Sequence, residues 1–110
     1  MKKALALLLF VTLVIGIPAA IAAKGDAAKG KTLFAGKCAM CHGASGEGKE
    51  AMAKMLKVEI RHLGSKEVQD KTDAQLSEAV TKGTGKMKPV AGLKDQDVAD
   101  IVAFIRTLKK

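Results

Sequence analysis

The chain has 110 residues, of which 48% are hydrophobic, and it carries a net charge of +8. This length limits it to one small domain, and three phenylalanines with no tryptophan or tyrosine leave no aromatic and basic platform for nucleic acid. The positive charge favours acidic partners or an anionic surface, although most of the lysines are spread along the chain as ordinary solvated surface.

Residues 1–23 have the pattern of an export signal. A short positive segment comes first, an apolar stretch over 4–17 follows, and a small-residue end offers a cleavage site after Ala22 or Ala23. Cleavage leaves residues 24–110 as the mature domain. An uncleaved membrane anchor is the alternative, because the uncharged segment is just long enough to span a bilayer.

Helical signals begin directly after this leader. Asp26 can cap a first helix that runs to about Ala35. A further helix is expected over 47–56 and a short helical turn over 65–69. The loop between the first two helices is expected to be flexible because it contains Gly43, Gly46 and Gly48.

The C-terminal part has the clearest helical pattern. Thr72 and Gln75 have the spacing of a capping box, which starts a helix through Lys82 that Gly83 ends. Asp95 is expected to cap the last helix, whose apolar residues fall on one face: Val98, Ile101, Val102, Ile105 and Leu108. Since no strand-like alternation of useful length occurs, the sequence predicts an all-α domain.

The segment Cys38-Ala39-Met40-Cys41-His42 has the Cys-x-x-Cys-His spacing of a c-type haem attachment site. On a helical turn, residues i, i+3 and i+4 share a face. The two thiols can therefore add across the two vinyl groups of one haem while the imidazole reaches its iron from the same side. A redox-active dithiol and a zinc site are the alternatives, and a zinc site would need His62 as its fourth ligand.

A haem iron bound by His42 has one further axial position, and its occupant separates electron transfer from ligand chemistry. Met87 is the favoured occupant, because it lies in a glycine-containing loop over 83–89 where a thioether among lysines has no packing role. His62 is the alternative imidazole ligand. The other side chains considered are Met40, Met52, Met55, Lys86 and Lys88.

Three of these other side chains are methionines with alternative explanations. Met40 lies inside the attachment motif, on the His42 side, and cannot reach round to the opposite face. Met52 and Met55 belong to the helix expected over 47–56, where a methionine more often fills the core.

With these residues identified, the chain resembles the small class I cytochromes c of the bacterial periplasm. The resemblance covers essentially all of the mature chain. It is carried by the attachment motif and by the segments Gly25-Asp26-Ala27-Ala28-Lys29-Gly30, Thr72-Asp73-Ala74-Gln75-Leu76, Gly83-Thr84-Gly85-Lys86-Met87 and Ala99-Asp100-Ile101-Val102-Ala103-Phe104-Ile105-Arg106.

The resemblance implies a class I cytochrome c fold, in which short helices wrap around one covalently attached haem. The first and last helices of such a fold cross closely, here at Gly30, Phe34 and Phe104. The chain departs from the family pattern at Lys88, which separates Met87 from the usual proline, and at Lys94, where the last helix usually has Ser or Thr as its cap.

The resemblance also implies the site residues. Cys38 and Cys41 would hold haem c through thioether bonds, and His42 and Met87 would be the axial ligands of its iron. The implied function is that of a soluble periplasmic electron carrier, not an enzyme, which cycles the haem between Fe(III) and Fe(II).

The expected partners are redox proteins with acidic docking surfaces. Lys37, Lys86 and Lys88 are candidates to surround the haem edge and steer such partners, and the alternative is that they are ordinary solvated lysines. The protein is expected to be a monomer that binds no nucleic acid and meets a membrane only through membrane-bound partners or an uncleaved signal. Two rivals stay open: an open-site haem protein that senses or binds a small ligand, and a thiol–disulfide protein without haem.

Overall fold

The computed structural model describes residues 25–110, and the predicted leader lies outside this range. Within it the chain forms six helices and no strand, apart from one isolated bridge. The prediction of an all-α domain is therefore confirmed. The helices are α1 (Ala27–Lys37), α2 (Ala39–His42), α3 (Glu50–Leu56), α4 (Lys66–Gln69), α5 (Asp73–Lys82) and α6 (Asp95–Thr107).

Local capping signals start α1 and α5 at the residues that the sequence predicts. The Asp26 side chain accepts hydrogen bonds from the N–H groups of Ala28 and Lys29 at the start of α1. Thr72 and Gln75 form the reciprocal capping box of α5. Each cap satisfies amide donors that have no partner inside the helix.

Three boundaries differ from the prediction. The first helix extends to Lys37 rather than to about Ala35. The helix expected from residue 47 begins at Glu50, because Gly48 has a positive φ of 81° that no helix can contain. Asp95 is the first residue of α6 rather than its cap, and the N–H of Lys94 in the cap position donates to Oδ2 of Asp97 (2.9 Å).

The core lies where α1 and α6 cross. The Phe34 and Phe104 rings are buried with their centroids 5.1 Å apart and tilted by 58°. A Cβ at Gly30 would overlap the carbonyl oxygen of Asp100 in α6, so the missing side chain permits the close approach of the two backbones. The crossing expected at these three residues is confirmed.

Asp100 is the charged residue buried at this crossing, with 2% of its surface exposed. Its Oδ1 accepts hydrogen bonds from the N–H of Asp26 (2.7 Å) and from Nε2 of Gln96 (2.9 Å). These bonds, led by the one from Asp26, stabilise the carboxylate and lower the pKa of Asp100. The carboxylate thus joins the start of α1 to the middle of α6.

Arg106 of α6 forms hydrogen bonds with the segment between α4 and α5. Its guanidinium donates to Oδ1 of Asp73 (2.7 Å from Nη2) and to the carbonyl oxygens of Gln69 (2.8 Å) and Lys71 (2.6 Å). The segment between α4 and α5 is therefore held against the last helix. Between residues 25 and 110, no helix combines the length and the apolar character needed to cross a bilayer.

Candidate haem attachment site

The attachment motif occupies a single helical turn directly after α1. Cys38 ends α1 with a hydrogen bond from its N–H to the carbonyl of Phe34 (2.8 Å), and its own carbonyl accepts from the N–H groups of Cys41 (3.3 Å) and His42 (3.0 Å). The two thiols and the imidazole therefore belong to one turn, in the arrangement that the i, i+3, i+4 spacing predicts.

A glycine loop folds back onto this turn. Gly43, Gly46 and Gly48 have φ values of 80°, 70° and 81°, a region in which other residues are strained. The N–H groups of Gly48 and Lys49 then donate to the carbonyls of His42 (2.6 Å) and Cys41 (2.9 Å). The loop predicted to be flexible is thus hydrogen-bonded to the motif, and it satisfies carbonyls that the end of α2 leaves open.

The two cysteines have different surroundings. Cys38 is buried and packs into the core cluster, whereas Cys41 is half-buried, and the two sulfurs are not joined by a disulfide. Burial raises the pKa of the Cys38 thiol, against a smaller opposing effect of the neighbouring Lys37 charge. Both cysteines keep free thiols within the same turn.

His42 is set up as a neutral imidazole. The ring is half-buried, 6.4 Å from the ring of Phe34 between centroids, and burial lowers the pKa of His42. A neutral imidazole is the form that binds iron. Its Nδ1 is buried and has no hydrogen-bond partner among residues 25–110.

A buried polar atom without a partner is unfavourable unless a further group completes its surroundings. An attached haem would bind the His42 ring through the other nitrogen and would not supply this partner, so the fit to haem rests on the donor atoms of the turn. The donor set of this turn, two free thiols and a neutral imidazole, fits haem c.

Met87 ends a tight hairpin turn. The N–H groups of Thr84 and Met87 donate to each other's carbonyl oxygens (3.0 and 2.9 Å), and Gly85 supplies the positive φ of 56° at the first central position of the turn. Lys86 and Lys88 on either side are exposed, whereas Met87 is half-buried. Met87 is thus more enclosed than the lysine on either side of it.

The remaining candidates lie in less suitable surroundings. Met40 and Met55 are 72% and 66% exposed, so the expectation that Met55 is a core side chain is wrong, and Met52 is half-buried. His62 is half-buried, and its Nδ1 accepts a hydrogen bond from the N–H of Gly64 (2.8 Å). Among residues 25–110, no group of three or more His, Cys, Asp or Glu side chains is placed to hold a metal ion, as the zinc alternative would require.

The family model of cytochrome c matches residues 27–109, which include the attachment turn and the Met87 hairpin. The chain belongs to the cytochrome c family. Members of this family carry covalently bound haem c with its iron, so haem c is the cofactor, and this cytochrome c is a haem protein of the electron-carrier type. Cytochromes c pass their electrons to redox partners.

Named relatives agree with this assignment. The chain is 32% identical over 90 residues to cytochrome c-554(547) of Halothiobacillus neapolitanus, a match that covers 77% of this chain and 99% of the relative. It is 36% identical over 112 aligned positions to cytochrome c6 of a Picosynechococcus species, covering 96% and 92%. Among solved structures, the KustC0563 c-type cytochrome matches with a TM-score of 0.64 and 26% identity, covering 74% of this chain and 98% of that one.

Two features of this cytochrome c have no sequence signal. Asp100 looks like one of several acidic residues near the start of α6, and only the crossing with α1 buries it. Lys86 donates from Nζ to the carbonyl of Leu56 (2.7 Å), a residue 30 positions earlier in the chain. Both contacts join segments that are distant in sequence, so spacing alone could not reveal them.

Proposed function

We propose that this cytochrome c is an exported one-electron carrier whose haem is attached through Cys38 and Cys41 and ligated by His42 and Met87. The observation that carries the proposal is the single turn holding both free thiols and a half-buried neutral imidazole. Haem c supplies the one-electron step between Fe(III) and Fe(II).

The protein's own residues set the conditions for that step. Cys38 and Cys41 would hold the haem, and the buried core around Cys38 would exclude water from that thioether. His42 is held neutral and ready to bind, while the hairpin presents Met87 from another part of the chain. If His42 and Met87 held the iron, little would need to rearrange during transfer, and the thioether would favour the reduced iron.

The proposed compartment is the periplasm. Residues 1–23 would direct export and be removed after Ala22 or Ala23, and residues 24–110 would form the haem domain. The support is the pattern of charge and apolar residues in the leader. An oxidising compartment also suits a chain whose two cysteines are both used by the cofactor.

The test combines haem content with ligand identity. Protein produced in a host that attaches haem should gain the mass of one haem, and substitution of Cys38 and Cys41 by serine should remove it. In the oxidised protein, Met87→Ala should abolish the weak far-red band of methionine–iron bonding.

Matched variants keep this test specific. Met52→Ala and the exposed Met55→Ala should leave the far-red band intact. Loss of the low-spin spectrum in His62→Ala, with an unchanged spectrum in Met87→Ala, would contradict the ligand assignment. An absence of any added haem mass would contradict the whole proposal and leave the thiol–disulfide alternative.

A further inference from the structure

The Met87 hairpin is fastened almost entirely to its own neighbourhood in sequence. Its internal bonds join Thr84 and Met87, and the N–H of Val90 donates to the carbonyl of Val80 in α5 (2.9 Å). A Cβ at Gly83 would come within 2.5 Å of the Met87 carbonyl oxygen, so this contact is also local. These interactions shape the hairpin but do not tie it to the attachment turn.

One hydrogen bond among residues 25–110 reaches from the hairpin to a segment that is distant in sequence. Lys86 Nζ donates to the carbonyl oxygen of Leu56, the last residue of α3, at 2.7 Å. Helix α3 follows the attachment turn, and the preceding loop binds back to that turn through Lys49 and Cys41. The bond therefore joins the segment that carries His42 to the loop that carries Met87.

The acceptor is well suited to a lysine. The N–H of Lys57, in the left-handed conformation (φ 55°), and the N–H of Val58 bond back to the carbonyls of Lys54 (3.2 Å) and Ala53 (3.0 Å). The Leu56 carbonyl has no backbone partner among the described residues and lies at the negative end of the helix, where an ammonium group is favourable.

We infer that Lys86 is a positioning residue for the axial ligand: its hydrogen bond to Leu56 holds the Met87 loop closed against the half of the domain that carries the attachment turn. The inference rests on the proposed ligation by His42 and Met87. Lys86 and Lys88 flank Met87 and carry the same charge, but the positioning role is assigned to Lys86 alone.

Lys88 supplies the matched control. It is exposed like Lys86, lies on the other side of Met87, and makes no hydrogen bond with residues 25–110. Replacing either lysine by alanine removes one positive charge beside the hairpin, but only Lys86→Ala removes the bond to α3. Lys86→Arg keeps the charge and a donor that can reach the same carbonyl.

The experiment measures how often the loop opens. Imidazole is mixed with the oxidised haem protein at pH 7, and its binding is followed by loss of the far-red methionine band. At saturating imidazole the rate equals the rate at which Met87 leaves the iron. We expect Lys86→Ala to raise this rate about fivefold, which corresponds to the loss of one exposed, charge-assisted hydrogen bond. The rate in Lys88→Ala should stay within about twofold of the wild type. The rate in Lys86→Arg should lie between those of Lys86→Ala and Lys88→Ala.

Equal opening rates in Lys86→Ala and Lys88→Ala, with the far-red band present in both, would overturn the inference and leave the proposed ligation intact. A wild-type protein that lacks the band would overturn the proposed Met87 ligation, and the inference with it. The two failures are therefore distinguishable in the same set of spectra.

Discussion

At the scale of single residues, Asp100 is a buried carboxylate whose partners lie in two helices. The N–H of Asp26 and the amide of Gln96 donate to the same oxygen, and a Lys29 charge is near enough to add a small stabilising effect. These interactions favour the ionised form, so the pKa of Asp100 is lower in the folded protein than in the unfolded chain.

The depressed pKa predicts a pH dependence of stability. A carboxylate with a lower folded pKa stabilises the protein above its ordinary unfolded value, about 3.9, and this contribution is lost as the pH falls through the folded value. We expect Asp100→Asn to be less stable than the wild type at pH 7 and the difference to narrow below about pH 4. Urea unfolding of the haem protein, followed by circular dichroism, measures it.

Asp95→Asn is the control, because Asp95 is exposed at the start of the same helix. At pH 7 the loss of unfolding free energy should be smaller in Asp95→Asn than in Asp100→Asn, because the Asp95 carboxylate accepts no hydrogen bond from residues 25–110. If the gap between Asp100→Asn and the wild type were as wide at pH 3 as at pH 7, the carboxylate would not be the source of the stabilisation.

At the scale of helices, the contact between α1 and α6 depends on one absent side chain. Gly30 lies against the carbonyl of Asp100, whereas Gly36, six residues later in α1, has nothing within 4 Å of a Cβ built on its backbone. Substitution of Gly36 therefore measures helix propensity alone, whereas substitution of Gly30 also measures the packing between α1 and α6.

Gly30→Ala should destabilise the haem protein by about 1–3 kcal/mol or more, because the two backbones must move apart. Gly36→Ala should instead stabilise it by about 0.5–1 kcal/mol through the higher helix propensity of alanine. Thermal and urea unfolding provide both numbers. Equal effects of the two substitutions would mean that the close approach at Gly30 is not what limits the crossing.

The helices also show what a sequence can predict. The caps at Asp26 and Thr72 and the stop at Gly83 were predictable because their partners lie within four residues. The start of α3 was not predictable in this way. Gly48 lies against the carbonyl of Ile60, where a Cβ would overlap it, and this contact joins segments that the local pattern does not connect. Met55 was misjudged because helical spacing does not show whether another element covers that face.

The same distinction applies to the candidate site. The attachment motif could be identified from five consecutive residues, since one helical turn determines its geometry. The bond between Lys86 and Leu56 spans 30 residues and depends on how α3 and the hairpin meet. The proposed ligand residues give local sequence signals, whereas the contact inferred to position Met87 is tertiary.

At the scale of the whole molecule, positive charge dominates. Removal of Lys2 and Lys3 with the leader would lower the net charge from +8 to +6. A charge of this size steers anionic reaction partners toward the protein, and salt screens the effect over about 8–10 Å at physiological ionic strength. Lys37 is exposed beside the attachment turn, while Lys31 is exposed six residues earlier in the same helix.

Electron transfer should therefore depend on salt with a sign set by the charge of the probe. Oxidation of the reduced protein by ferricyanide should slow as ionic strength rises, whereas reaction with a cationic cobalt complex should become faster. Lys37→Glu should reduce the ferricyanide rate more than Lys31→Glu, although both change the net charge equally. Identical losses would indicate that only the total charge matters and that the lysine beside the motif has no special role.

The burial of Cys38 has a consequence for the order of assembly. In the proposed attachment, one of the two thioether bonds forms at Cys38, which belongs to the hydrophobic core with 8% of the residue exposed, and burial raises the pKa of its thiol and so disfavours the reactive thiolate. We therefore expect haem to attach through Cys38 while the chain is still open, before the core cluster around this residue forms. Any factor in the cell that delays closure would help maturation, and a chain that folded too early would hide its own point of attachment.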